Sequence, residues 1–347
     1  MAIDSNFLER LRHYQPRAID LINRFSQARV LVVGDLTLDE FLTGQVERLS
    51  REAPVLIIRH ETTRQVPGGG ANAVYNLATL GAQVKVAGFV GKDEQGNALR
   101  HIFEAARIDT TGMLVDSDRP TVTKTRISGH ARQSVTQQIV RVDRKSDALP
   151  SLENQLQLAA YIREQLHTVD AVVCSDYGDG VLTAPAIEAA LQHPLTIVDT
   201  QKHLQRYAGA TLFTPNLPEA EQAVGYAIDS PQTLTQAGSD LLSLTRAKQM
   251  LITRGDEGMS LFHPTGTHDR IPAFNRTDVF DVTGAGDTVV AALTLGLTAG
   301  GSLWESAVLG NLAASIVVRQ FGTATTTPAE MKEALEFLLS EESGVLT

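Results

Sequence analysis

The sequence predicts an α/β protein: a largely parallel sheet covered by helices on both faces, with a second, smaller β-sheet inserted into it. Short apolar runs recur at 30–33, 84–90, 171–174, 196–198, 212–213 and 250–253 of the 347 residues. Their continuous apolar character suits strands buried on both faces. Helical patterns lie between them, around 71–80, 95–106, 152–167, 184–191, 218–224 and 234–247, and that alternation implies parallel strands joined by crossover helices. Residues 40–66 and about 119–144 break the rhythm. They are rich in β-branched and charged residues, with Pro54, Pro67 and Pro120 as punctuation, and read as strands of a separate small sheet.

Residues 1–28 form an N-terminal extension in which Phe7, Leu8, Leu11, Tyr14, Ile19, Leu21, Ile22 and Phe25 recur at helical spacing. This predicts one or two amphipathic helices packed on the main body and broken near Pro16. The main domain spans 29–330. Its first strand, Val30-Leu31-Val32-Val33, ends in Gly34-Asp35. The apolar run through Leu297, just after Gly284-Ala285-Gly286-Asp287, reads as a buried helix. Residues 331–347 form a C-terminal helix and tail. A small sheet beside the substrate would serve as a lid that excludes water during group transfer.

The chain carries 30 Lys plus Arg against 40 Asp plus Glu, a net charge of −10. That balance argues against nucleic acid or an anionic membrane as the main partner, while leaving room for a local basic pocket. No stretch approaches the roughly 18 to 20 apolar residues of a membrane span. The first residues lack a basic segment followed by an apolar core, so a cytoplasmic location is expected. The single cysteine, Cys174, follows Val172 and Val173 and reads as a buried strand residue.

Five features carry chemistry. At Asp281-Val282-Thr283-Gly284-Ala285-Gly286-Asp287, a glycine-rich turn opens a helix whose first amides lack internal partners and favour an anion. Asp287, in the first turn, is placed to act as a base on a hydroxyl that receives a phosphoryl group. Alternatively, it is only a residue that complements the helix dipole. Pro67-Gly68-Gly69-Gly70-Ala71-Asn72 precedes a helix, with glycines permitting close approach and Asn72 able to bind sugar hydroxyls. The spacing fits neither a dinucleotide fingerprint nor a P-loop. Gly34-Asp35-Leu36-Thr37-Leu38-Asp39 lies past the end of the first strand, where parallel sheets bind ligands and a carboxylate can hold a polyol. Thr214-Pro215-Asn216-Leu217-Pro218-Glu219 suits phosphate and hydrated Mg²⁺, or is simply a capped helix start. Thr253-Arg254-Gly255-Asp256-Glu257-Gly258 reads as a tight turn of nucleotide-contact type or a plain hairpin.

Together these residues resemble the ribokinase (PfkB) family of carbohydrate kinases, from about Val30 to Thr327. The stretch around Asp287 agrees with the family signature at each restricted position, and the Gly-Gly-Gly-Ala-Asn and Pro-Asn-x-x-Glu elements fall in the right order. Within the family the chain is most similar to heptose 7-phosphate kinases, through Arg48-Leu49-Ser50-Arg51-Glu52-Ala53-Pro54-Val55, Thr123-Lys124-Thr125-Arg126, Arg141-Val142-Asp143, Ser175-Asp176-Tyr177-Gly178 and Gly322-Thr323-Ala324. It departs from them at Asp179 and Gln201, where those kinases carry lysine, and over 128–136. No His-x-Gly-His nucleotidyltransferase motif occurs, so the second half of the bifunctional relatives is not expected here.

The resemblance implies a three-layer α/β/α ribokinase-like core with a small β-sheet lid, dimerising through the lid. It implies ATP against Asn216, Thr253, Gly255, Gly258 and Asn311, with Mg²⁺ held indirectly by Glu219. It places a sugar or sugar phosphate against Asp39, Gly69, Gly70 and Asn72, with Lys124, Arg126, Arg132 and Arg141 available for a substrate phosphate. Asp287 is the implied base, Gly284, Ala285 and Gly286 the anion hole, and Asp281 with Thr283 a site for a monovalent cation such as K⁺. Kinases of the same fold for a ketose phosphate, 2-keto-3-deoxygluconate or a nucleoside remain open, as does a non-catalytic sensor of sugar or nucleotide.

Overall fold

Asp4 accepts a hydrogen bond from the Asn6 amide at 3.3 Å and opens helix α1 (Ser5–Asn23). The side chains of Leu8, Leu11, Tyr14, Ala18, Leu21 and Ile22 form its buried face. The predicted break at Pro16 does not occur, and the helix runs through it. Pro16 and Arg12, four residues earlier, are both exposed. The carbonyl that loses its partner can therefore be solvated, which lowers the usual cost of an internal proline. Tyr14 and Phe7 then pack on Trp304, and the Tyr14 hydroxyl donates to the Glu305 carbonyl at 3.0 Å.

The computed structural model describes residues 4–131, 135–275, 279–320 and 322–341; Arg132 and part of the 128–136 stretch lie outside the described residues. After α1 come β1 (Arg29–Gly34), β2 (Leu36–Leu49), β3 (Leu56–Gly69), α2 (Gly70–Thr79), β4 (Gln83–Gly91), α3 (Glu94–Ala105) and β5 (Asp109–Asp116). Then follow β6 (Val122–His130), β7 (Gln137–Arg144), α4 (Leu152–Gln165), β8 (Ala171–Asp176), α5 (Ala184–Ala190), β9 (Thr196–Thr200) and β10 (Leu212–Phe213). The chain continues with α6 (Leu217–Val224), α7 (Pro231–Thr245), β11 (Gln249–Thr253), β12 (Met259–Phe262), β13 (His268–Ile271), α8 (Ala285–Thr298), α9 (Leu303–Val317) and α10 (Pro328–Glu341).

Among the described residues, nine strands form the main sheet in the order β13-β12-β11-β10-β9-β8-β1-β4-β5. β12 pairs antiparallel with both β11 and β13, and every other pairing in this sheet is parallel. Along β1 the side chains alternate between two cores. Val30 and Val32 pack with α1, α2, α8 and α9, whereas Leu31 and Val33 pack with α4, α5 and α7. Two cores on opposite faces of one sheet make the three layers.

The second sheet has the order β3-β2-β6-β7. β2 leaves the main sheet directly after β1, and β3 returns to it at Gly69, where α2 begins. The small sheet is thereby fixed over the C-terminal edge of the parallel strands, where open α/β sheets bind ligands.

Candidate active site

Gly284 turns the chain into α8 in a left-handed conformation, with φ of 77°. A Cβ there would lie 2.5 Å from Nδ2 of Asn72, so glycine is required for backbone conformation and close approach alike. The turn buries Asp287, which is 3% exposed. Its Oδ2 accepts from Asn72 Nδ2 at 2.8 Å and its Oδ1 from the Tyr177 hydroxyl at 3.1 Å. Asn72 is held in turn by Asn76, and Asn76 accepts from the Thr288 hydroxyl at 2.9 Å. Burial pushes the Asp287 carboxyl up to about 6, against the two hydrogen bonds and the nearby Lys124 charge. A carboxyl near that value is matched to accepting a proton at neutral pH.

Two cavities meet at Gly286 and Thr253. One, of about 180 Å³, is lined by Asp176, Tyr177, Asp199, Thr200, Gln201, Thr214, Asn216, Glu219, Gly284 and Asp287. The other, of about 390 Å³, is a more apolar slot that includes Gly255, Gly258, Met259, Phe274, Val282, Ala285, Val289 and Asn311. Gly255, Gly258, Asn311 and Thr253 thus share the slot, while Asn216 faces the polar cavity across its bridge to Thr253. Asn311 donates to the Pro272 carbonyl at 2.6 Å, which fixes one wall.

Asn216 and Glu219 form a full capping box on α6, with both hydrogen bonds at 2.9 Å. The capped helix start is present, and the same pair lines the polar cavity. Burial raises the Glu219 carboxyl. Asp199, half-buried on the cavity wall, is pushed well above the usual carboxylate range by desolvation and by the charges of Asp287 and Glu219.

The three amides of the turn are not equivalent in this conformation. The Ala285 amide closes a turn onto the Val282 carbonyl at 3.2 Å. Gly284 and Gly286 are left as the amides of that trio without a backbone partner among the described residues. Asp281 accepts from the amides of Thr283 and Gly322, both at 2.9 Å; these bonds hold its carboxyl below the usual range despite burial. Asp281 and Thr283 are neighbours on the turn.

Asp35 is not free for a polyol. Its carboxylate accepts from the amides of Tyr177, Asp179 and Val181 at 2.8 to 3.0 Å, and its carbonyl accepts from Gly70 at 2.9 Å. Its role is to tie the loop after β8 to the start of α2. Asp39, four residues further on, is a buried carboxylate near enough to Asp287 for its charge to be felt there. It lies against Gly68, where a Cβ would be 2.7 Å from it.

In the lid, Asp39 is in register with Lys124, and Phe41 with Arg126 and Arg64; Arg126 is in register with Arg141. Directly opposed residues share a face. Arg126 Nη1 lies 2.9 Å from Asp39 Oδ1, and the guanidiniums of Arg64 and Arg126 lie 5.0 and 5.2 Å from the Phe41 ring. Lys124 Nζ stands 5.7 Å from the centre of the Tyr177 ring, so this basic face looks onto the core. Arg141 lies further out, paired with Asp143 at 2.6 Å. Tyr177, Asp199, Asn76 and Arg64 had no role in the sequence reading. The position of Tyr177 and Asp199 at the ends of apolar parallel strands was the available signal.

A nucleotide-sized slot and a polar cavity, joined at a glycine turn beside a buried carboxylate, define a small-molecule phosphotransferase on a ribokinase-like fold. The chain belongs to the pfkB family of carbohydrate kinases, whose model matches residues 27–330. Among curated proteins, Bifunctional protein HldE of Desulfatibacillum aliphaticivorans is 42% identical over 321 residues, covering 91% of this chain and 64% of that protein. Bifunctional protein HldE of Geobacter metallireducens is 42% identical over 331 residues, covering 92% and 66%. This chain thus spans about two thirds of the length of these relatives. Arabidopsis thaliana ribokinase complexed with ribose and ATP shares the fold with a TM-score of 0.68 at 20% identity, over 90% of this chain and 98% of that one. Phosphofructokinase-2 from Escherichia coli in complex with potassium gives 0.71 at 19% identity, over 90% and 99%.

Proposed function

We propose that this chain transfers the γ-phosphoryl group of ATP to the anomeric hydroxyl of D-glycero-D-manno-heptose 7-phosphate, giving the 1,7-bisphosphate. The observation that carries the reading is Asp287: a buried carboxylate, raised to about 6, that lines the polar cavity next to Gly286, where the apolar slot joins it. Asp287 takes the acceptor proton as the sugar oxygen bonds to the γ-phosphorus and the bond to the ADP oxygen breaks. The amides of Gly284 and Gly286 stabilise charge on the transferring group. Asp39, Gly69, Gly70 and Asn72 hold the sugar. Lys124 and Arg126, with Arg141 at the margin, face its 7-phosphate.

Mg²⁺ suits the all-oxygen set of Asp199, Glu219 and Asp176 around the polar cavity. Among the described residues, no group of three or more His, Cys, Asp or Glu side chains is placed to hold an ion alone. That arrangement fits an ion that keeps waters and takes its other oxygens from phosphates. An ion held there would supply charge neutralisation for the phosphates. Asp281 and Thr283 are proposed to support K⁺ behind the turn. The heptose assignment rests on the lid strings shared with heptose kinases and on the kinship with the HldE proteins.

Among the described residues no helix is long and apolar enough to cross a membrane, and a cytoplasmic location is proposed. The lid also suits a homodimer. Val140 and Val142, 46% and 52% exposed, face away from the basic side, and Leu49 and Val55 are also exposed. Val142→Asp should convert a dimer to a monomer in sedimentation, whereas an unchanged mass would remove the lid as the interface. ATP turnover against a panel of sugars and sugar phosphates tests the function itself. Turnover with heptose 7-phosphate is expected, and turnover confined to another sugar would leave a carbohydrate kinase of different specificity.

A further inference from the structure

Tyr177 stands where the lid and the catalytic carboxylate meet. Its amide is fixed by Asp35, its hydroxyl donates to Asp287 Oδ1 at 3.1 Å, and its ring lies beneath Lys124 of the lid at 5.7 Å. Asn72 holds the other carboxylate oxygen at 2.8 Å. The two oxygens of Asp287 are therefore oriented by two different donors. Asn72 is locked from behind by Asn76 and Thr288 within the core. Tyr177 is the donor whose ring touches the lid. A phenol that faces a carboxylate oxygen can only donate to it.

We propose that Tyr177 is a positioning residue for phosphoryl transfer: its hydroxyl fixes the orientation and basicity of Asp287, and its ring couples that carboxylate to the lid through Lys124. The inference rests on Asp287 being the base. An acceptor hydroxyl entering under the lid meets a carboxylate already turned by Asn72 and Tyr177. Each carboxylate oxygen retains a lone pair for it. A phenol hydrogen-bonded to the ionised base favours that ionised form, so removing the hydroxyl makes the base harder to ionise. The other charged groups facing Asp287 are Lys124 on β6, Asp39 on β2, Asp199 at the end of β9 and Glu219 on α6. None of these is altered by a change confined to the phenol oxygen.

The test is the pH dependence of kcat/KM for Tyr177→Phe, measured with ATP and heptose 7-phosphate or, should the panel select another acceptor, with that sugar. The phenylalanine keeps the ring under Lys124 and removes only the donor. The acidic limb should move up by roughly one to two pH units, the size expected for one hydrogen bond to a charged carboxylate. At pH 7, kcat should fall by about three- to tenfold with little change in the KM for ATP. A residue that only fills space would leave the limb in place. Should the phenylalanine variant fold poorly, 3-fluorotyrosine at position 177 is nearly isosteric and a stronger donor, and should move the limb down. Asp287→Asn is measured alongside. If it is inactive while neither change at 177 moves the limb, the proposal for Tyr177 fails and Asp287 remains the base. If Asp287→Asn turns over normally, both fail, and the base lies elsewhere.

Discussion

Strands β7 and β8 mark the two extremes of this molecule. Every residue of β8, Ala171–Asp176, is buried, and every residue of β7, Gln137–Arg144, is exposed. β8 lies between β1 and β9 in the middle of the main sheet and delivers Tyr177 at its end; β7 is an edge of the lid and carries Arg141. The groups proposed to perform the chemistry, Asp287 and Tyr177, are held by α8 and the end of β8, where their hydrogen bonds are shielded from water. Groups proposed to read the substrate's phosphate sit on the lid, where long cationic side chains rest on Phe41 and can rearrange. A sheet of four strands with so little core of its own opens at lower cost than the main sheet. Mutations in the two regions should therefore differ in kind: kcat for the core, KM for the lid.

The largest effect is expected at Asp287. Asp287→Asn should lower kcat by at least ~10²-fold while ATP affinity, read by calorimetry, stays unchanged. In the unmodified chain kcat/KM should rise with pH through about 6. Burial raises this carboxyl, and the proton it must accept in the reaction already occupies it below that value. A flat profile between pH 5 and 7 would remove Asp287 from the role. Gly284→Ala should follow. Its Cβ would press on Asn72 in a backbone conformation that alanine resists. A loss of roughly 10- to 100-fold in kcat is expected from misplacing the Asn72–Asp287 pair, with about 1–3 kcal/mol less stability in urea. Normal kinetics in that variant would mean that the turn tolerates displacement. In the lid, Arg126→Met should raise KM for a phosphorylated acceptor by about tenfold with kcat changed much less, as expected for a contact made equally in ground and transition states. A fall in kcat alone would erase the division between the regions.

The division also explains what the sequence displayed. The core strands were visible because burial on both faces demands unbroken apolar runs, as in Val30-Leu31-Val32-Val33. β5 escaped because it is the sheet's edge and its sequence, Asp-Thr-Thr-Gly-Met-Leu-Val-Asp, is half polar. The helix through Pro16 escaped because local propensity cannot show that the lost hydrogen bond faces water. The Gly284–Asp287 turn was visible as contiguous residues with a shared chemical purpose. Asp35 and Tyr177 were not separable by role, because only the folded chain reveals that three amides occupy the first and that the second reaches Asp287, 110 residues away in sequence. Likewise the basic lid face is assembled from β2, β3, β6 and β7, and its register is not written in any one segment.

The most direct measurement compares kcat/KM for heptose 7-phosphate with that for the unphosphorylated heptose, at pH 7 and saturating ATP. A lid that reads the phosphate through Lys124 and Arg126 predicts a preference of at least ~10-fold for the 7-phosphate, since one charge-assisted contact contributes roughly 1.5–3 kcal/mol. Equal values for the two sugars would contradict it.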